Sequence, residues 1–165
     1  MINSSSDPMH KRFGILYLLL LLLVAMTTAC DSNRIFDQNQ TLKEGVWKSN
    51  ERLLFEVDIR DLMASYNFYL QVRNSADYPF SNLYLFITTT YPDGRLSRDT
   101  AELTLADYDG RWLGKGMGNL KYNNFLFQKG VRFKQQGTYR LEFEQAMRVN
   151  ELKGIQDFGL RIEKE

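Results

Sequence analysis

Leu53 to Ile59, "LLFEVDI", and Tyr139 to Met147, "YRLEFEQAM", set an oily residue against a polar one almost without a break. The first run puts Leu53, Phe55, Val57 and Ile59 on one side and Glu56 and Asp58 on the other. The second puts Tyr139, Leu141, Phe143, Gln145 and Met147 opposite Arg140, Glu142 and Glu144. Successive side chains of a strand point to opposite faces, so this period of two marks half-buried strands with Leu141 and Phe143 inward. The same period recurs at Tyr66, Phe68, Leu70 and Val72; at Leu83, Leu85 and Ile87; at Ala101, Leu103 and Leu105; at Val131 and Phe133; and at Phe158, Leu160 and Ile162. About seven or eight strands result. In Leu83 to Ile87 the other face carries Tyr84 and Phe86, which makes the segment either a central strand covered on both sides or an aromatic surface. "YPDGR", Tyr91 to Arg95, and Asp109-Gly110 supply turn chemistry. Only Leu120 to Phe127 fits a turn or two of helix. Many short strands with frequent turns predict an all-β, antiparallel two-sheet sandwich, Ig-like or jelly-roll-like in connectivity.

Ahead of this pattern stand Lys11 and Arg12, then the apolar run Phe13 to Met26, then Thr27, Thr28, Ala29 and the sole cysteine, Cys30. The run is shorter than the roughly 20 apolar residues a spanning helix needs and suits a leader. Met1 and Met9 are alternative starts; from Met9 the leader is compact, and Ser4 to Pro8 add nothing a signal uses. Positive, oily, small, cysteine resembles a bacterial lipoprotein signal, in which the thiol receives a diacylglycerol, the chain is cut before it, and the new amino terminus accepts a further acyl chain such as palmitate. The alternative is an ordinary secretory leader that leaves Cys30 a free thiol. Residues 1–29 are thus expected as lipoprotein signal peptide, 30–45 as lipidated tether and 46–165 as sandwich domain, because "SNRIFDQNQT", Ser32 to Thr41, is polar and lacks a sustained period.

Composition narrows the chemistry. Basic and acidic residues nearly balance, 21 against 20, which argues against nucleic-acid binding by clustered positive charge. The single histidine, His10, lies in the leader and the single cysteine precedes the domain. The domain therefore has no imidazole or thiol for a His-based triad, a Cys nucleophile, a His or Cys zinc site or an internal disulfide.

Ala106 to Gly118, "ADYDGRWLGKGMG", concentrates glycine, aromatic and charged residues. Tyr108, Arg111 and Trp112 are of the types that dominate binding hot spots, which makes them the candidate partner-binding residues. The competing reading folds Trp112 back as a core plug. Gly114, Gly116 and Gly118 lack the ending of a phosphate loop. Asp107 and Asp109 with Asp93 or Asp99 lack a full calcium loop and read as solvated turn residues, so no metal and no cofactor is expected. Glu142 and Glu144 have the separation a glycosidase pair needs, but their alternation with Leu141 and Phe143 makes them an outer face. Tyr84, Phe86, Tyr108, Trp112 or Tyr122 stacking on sugar rings is a further possibility.

Three stretches resemble one family. "CDSNRIFD", Cys30 to Asp37, with Trp47 and "FEVDIRD"; "VRNSADYPFSNLYLFI", Val72 to Ile87, leading to "LADYDGRWLGKGMG"; and "QAMRVNELKGIQDFGLRIEK", Gln145 to Lys164, are together similar to the GldH gliding motility lipoproteins of Bacteroidota. The resemblance implies an outer-membrane lipoprotein of the gliding apparatus, which in that phylum is linked to type IX secretion, and it brings no active site. The expectation is a non-enzymatic binding or assembly domain, anchored to the membrane by lipid, with gliding and secretion proteins of the cell envelope as partners and no nucleic acid. A carbohydrate-binding envelope lipoprotein is the first alternative and a carboxylate-dependent glycoside hydrolase the second. "SNRIF" after Cys30 is not the acidic cluster of surface-exported lipoproteins, which favours the periplasmic face.

Overall fold

Each alternating run lies in a strand except Val131 to Phe133, where Val131 ends a strand and Phe133 follows it, and Leu105 and Met147 fall just past the ends of theirs. A computed structural model of the chain describes residues 33–165; the leader and Cys30 lie outside the described residues. The strands are β1 (Arg34–Thr41), β2 (Val46–Lys48), β3 (Leu53–Ile59), β4 (Tyr66–Ser75), β5 (Asn82–Thr90), β6 (Leu96–Thr104), β7 (Leu120–Val131), β8 (Gly137–Gln145), β9 (Glu151–Lys153) and β10 (Ile155–Lys164). The turns predicted from glycine form as expected: Tyr91 and Arg95 close "YPDGR" with Gly94 at φ 83°.

The eight long strands pair as one folded-over hairpin. β1 pairs with β10, β3 with β8, β4 with β7 and β5 with β6, all antiparallel, and these nested pairs alternate between two sheets. Pairing of β10 with β4 and of β8 with β5 completes the sheets, ordered β1-β10-β4-β7 and β3-β8-β5-β6. Such nesting is the jelly-roll way of rolling a hairpin into a sandwich, which decides between the two connectivities the sequence allows. β2 and β9 form a separate two-stranded ribbon.

The inward faces meet over aromatic rings. Phe158 of β10 lies 4.9 Å from Phe143 and 6.2 Å from Phe55, both on the opposite sheet, and 5.2 Å from Trp47 on the ribbon. All four are buried, and each removes its ring area from water at roughly 25 cal/mol per Å². Trp47 also donates its indole N–H to the carbonyl of Glu51.

Two segments differ from expectation. Arg34 to Thr41, assigned to the tether by its polarity, is a strand paired with β10 along its length. It is an edge strand, and the inward Gln40 satisfies its amide by donating to the carbonyl of Leu54 in the other sheet, 2.7 Å away. The folded unit therefore starts at Arg34, only a few residues after Cys30. Leu120 to Phe127 is β7 rather than a helical turn; its inward Asn123 is buried, donating to Asn74 Oδ1 at 2.9 Å.

Arg34, Tyr66, Val131 and Lys164 mark the end at which the chain enters the sandwich, while Thr41, Ser75, Leu120 and Ile155 mark the other. Eight residues of β1 separate the two ends, roughly 25 Å at strand rise.

Candidate functional site

The glycine-rich segment connects β6 to β7 at the end remote from Arg34. Its first half is a tight reversal organised by Asp107, whose Oδ1 accepts from the backbone N–H of Asp109 at 3.0 Å and of Arg111 at 2.8 Å. Asp107 N–H donates to the carbonyl of Arg111, and Ala106 and Trp112 face each other across the turn. Its second half is pinned by reciprocal backbone bonds between Lys115 and Tyr122, at 2.8 and 2.7 Å. Gly116, at φ 145°, brings its backbone against the carbonyl of Leu120, where a Cβ has no room. Gly114 rests on the side chain of Asn123.

The tie-downs leave several large side chains in water. Tyr108 and Met117 are wholly exposed, at 105 % and 98 %, and Leu113 and Leu120 are exposed beside them. Arg111 is exposed and lies 3.5 Å from Asp109. Trp112 is half-buried, its ring 6.4 Å from that of Tyr78 beneath the loop. It therefore combines features of both readings, resting on the domain while contributing to the loop surface. Leu113 and Met117 were within the segment the sequence singles out, but only the fold shows that they stand clear of the core.

The aspartates considered for calcium are not brought together. Asp107 is occupied by its own turn, Asp109 lies by Arg111, and Asp93 is bonded to Arg95 and Gln135. Arg95 hydrogen bonding holds the Asp93 carboxyl below its ordinary value. Among the described residues no three acidic, His or Cys side chains converge as metal ligands. Glu142 and Glu144 lie half-buried on the outer face of β8, held by Arg52 and Arg98 at 3.4 Å.

The five rings proposed for sugar stacking form no common platform. Tyr84 and Phe86 lie on the outer face of β5, with the Arg98 guanidinium 4.5 Å above Phe86. Tyr122 is on the outer face of the other sheet, and Tyr108 and Trp112 belong to the loop. A cleft of about 340 Å³ opens at the Arg34 end between the sheets, floored by Val57, Phe68 and Tyr139 with Arg132 and Lys134 among its walls.

A family model described as GldH lipoprotein matches residues 34–162, the whole sandwich from β1 into β10. The chain belongs to the GldH lipoprotein family. It is 33 % identical over 153 residues to a protein of Christiangramia forsetii called gliding motility lipoprotein GldH homolog, covering 88 % of this chain and 93 % of that one. It is 32 % identical over 161 residues to the gliding motility lipoprotein GldH of Flavobacterium johnsoniae, covering 93 % and 97 %. Among solved structures, it is similar to the insecticidal delta-endotoxin Cry8Ea1 of Bacillus thuringiensis at 13 % identity and a TM-score of 0.41, over 73 % of this chain and 19 % of the toxin. In this GldH-family chain the match takes in β1, so the family pattern and the sandwich begin at the same residue, Arg34.

Proposed function

We propose that this chain is a lipid-anchored component of the gliding motility apparatus, held at the periplasmic face of the outer membrane through Cys30 and linked to type IX secretion. It acts without catalysis, docking envelope proteins through Tyr108, Arg111 and Trp112 together with Leu113 and Met117. The observation that carries the docking reading is a loop fixed by backbone bonds that nevertheless holds Tyr108 and Met117 fully in water. Rigid presentation lowers the entropy lost on association, and Tyr, Trp, Arg and Met are the types enriched at interfaces. The family's relatives carry gliding motility in their names. A lipid on Cys30 keeps Arg34 within roughly 14 Å of the bilayer, the extended reach of four residues.

The test uses two variants. Tyr108→Ala combined with Met117→Ser removes exposed groups alone, so it leaves the melting temperature unchanged while cutting co-purification of envelope proteins and gliding. Trp112→Ala removes a ring that also supports the domain, so it lowers both. Undiminished gliding and co-purification in the first variant refutes the loop as docking surface.

A further inference from the structure

The outer face of β1-β10-β4-β7 holds a recess that neither the anchor nor the loop uses. Two cross-strand rows build it. In one, Asn39 of β1, Gly159 of β10 and Gln71 of β4 are direct neighbours; in the next, Asp157, Arg73 and Tyr122 lie abreast on β10, β4 and β7. Gly159 leaves a gap in the middle of a sheet, and the Asn39 amide lies against it so closely that a Cβ there would collide with Asn39 Oδ1. The recess holds about 250 Å³ and is lined by Asn39, Gln71, Arg73, Tyr122 and Asp157.

Its hydrogen-bonding capacity is unspent. Gln71 is only 3 % exposed, yet its Oε1 accepts no hydrogen bond from the protein. A buried acceptor without a donor costs free energy that native structures seldom leave unrecovered. The other buried side-chain atom without a hydrogen bond among the described residues, Arg161 Nε, lies on the same face two residues beyond Gly159, with a Glu163 oxygen 3.2 Å away and its guanidinium 4.6 Å above the Tyr69 ring. Asn39 makes no side-chain hydrogen bond among the described residues. Arg73 uses only Nε, on Asp157, whose other oxygen takes the Thr41 hydroxyl at 2.6 Å. Because Arg73 and Asp157 cancel each other's charge, the recess is electrically balanced. Tyr122 adds an exposed ring at its rim.

The geometry points to a carbohydrate subsite here, for one neutral sugar ring of a glycan. Each sugar hydroxyl both donates and accepts, which suits a lining that offers Arg73 and Asn39 as donors and Gln71 and Asn39 as acceptors. The C–H face of a pyranose stacks on an aromatic ring, a role open to Tyr122. The compensated ion pair gives no gain to a charged ligand.

The full chain, purified in a sugar-free detergent, is titrated with the methyl glycosides of glucose, galactose, mannose and N-acetylglucosamine, and with glucuronate, by saturation-transfer NMR. At least one neutral glycoside binds in the millimolar range, and Asn39→Ala and Tyr122→Ala, both at exposed positions, weaken it about tenfold at unchanged melting temperature. Gln71→Met supplies the readout that a structural role cannot mimic: it removes an unpaired buried acceptor, so the protein melts at the same or a higher temperature while sugar binding falls. Absence of binding by every neutral glycoside overturns the proposal. So do binding of glucuronate alone, binding indifferent to Asn39→Ala and Tyr122→Ala, and marked destabilisation by Gln71→Met. None of these outcomes bears on docking through the loop.

Discussion

Phe143 is the most informative side chain to remove. It is 1 % exposed in β8, and its ring meets Phe55 at 5.7 Å on its own sheet and Phe158 at 4.9 Å on the other. Phe143→Ala therefore opens a cavity at the seam that joins the sheets. Lost transfer free energy, the residual void and two aromatic contacts together cost about 3 to 5 kcal/mol. Glu142, its sequence neighbour, points the other way. Its contact is Arg52, 3.4 Å away and largely in water, and Arg52 keeps Glu144 at the same distance if Glu142 is lost. Glu142→Ala should cost under about 1 kcal/mol, as exposed ion pairs do. For a domain of this size the first change lowers the melting temperature by about 10 to 20 °C and the second by no more than about 4 °C. Urea denaturation of both variants, read by tryptophan fluorescence through the buried Trp47, gives the free energies directly. Similar losses for the two, or a larger one for Glu142→Ala, would refute the inward-outward assignment of β8.

Cys30→Ser should yield a protein that is unprocessed or released from the membrane, since acyl chains replace a spanning helix as the anchor; a correctly processed variant that still sediments with membranes after a high-salt wash contradicts lipidation. The carboxyl of Asp61 is held below its ordinary range, chiefly by its hydrogen bond from Lys164 at 2.9 Å and then by the N–H of Met63. A depressed folded-state value means its stabilisation is full above the unfolded aspartate range and is lost as pH falls through the depressed one. Asp61→Asn should accordingly flatten the acid limb of a melting-temperature profile, and an unchanged limb counts against the contact. Gly116→Ala forces a Cβ onto the Leu120 carbonyl at an unfavourable φ, so the loop should loosen at a cost of about 1 to 2 kcal/mol. Faster tryptic cleavage after Arg111 and Lys115 is the readout, and an unaltered digestion rate argues that the loop is not pinned there.

The core-lining strands were legible because large apolar residues dominate their inward positions, as in Leu53 to Ile59 and Phe158 to Ile162. β1 was not, because an edge strand at the sandwich rim can turn Gln40 inward and satisfy it across the gap with Leu54. β7 was hidden by Asn123, whose burial depends on an amide partner, Asn74, far away in sequence. Composition drew attention to Ala106 to Gly118, yet no local signal shows that Trp112 leans on Tyr78 while Met117 does not. The recess around Gly159 was least visible of all. "QVRNS" and "QDFGL" look like ordinary solvated faces until strand register sets Asn39, Gly159 and Gln71 side by side.

Pairing the first strand with the last also dictates when this domain can fold. Thr41 and Asp157, joined by a 2.6 Å bond, are 116 residues apart, so a chain delivered amino terminus first holds β1 without its neighbour until almost all of it has arrived. The most local pair is β5 with β6 about the "YPDGR" turn, and each pair outward, β4 with β7, β3 with β8 and β1 with β10, closes a longer loop. Loops of that length are entropically slow to close, which places folding in the range of milliseconds to seconds. Throughout that interval the stripes of "LLFEVDI" and "YRLEFEQ" are exposed as sticky, unpaired strand segments. A chain of this topology therefore depends on being kept apart from its fellows during delivery, and loss of even its final ten residues would leave β1 and β4 without the strand that lies between them.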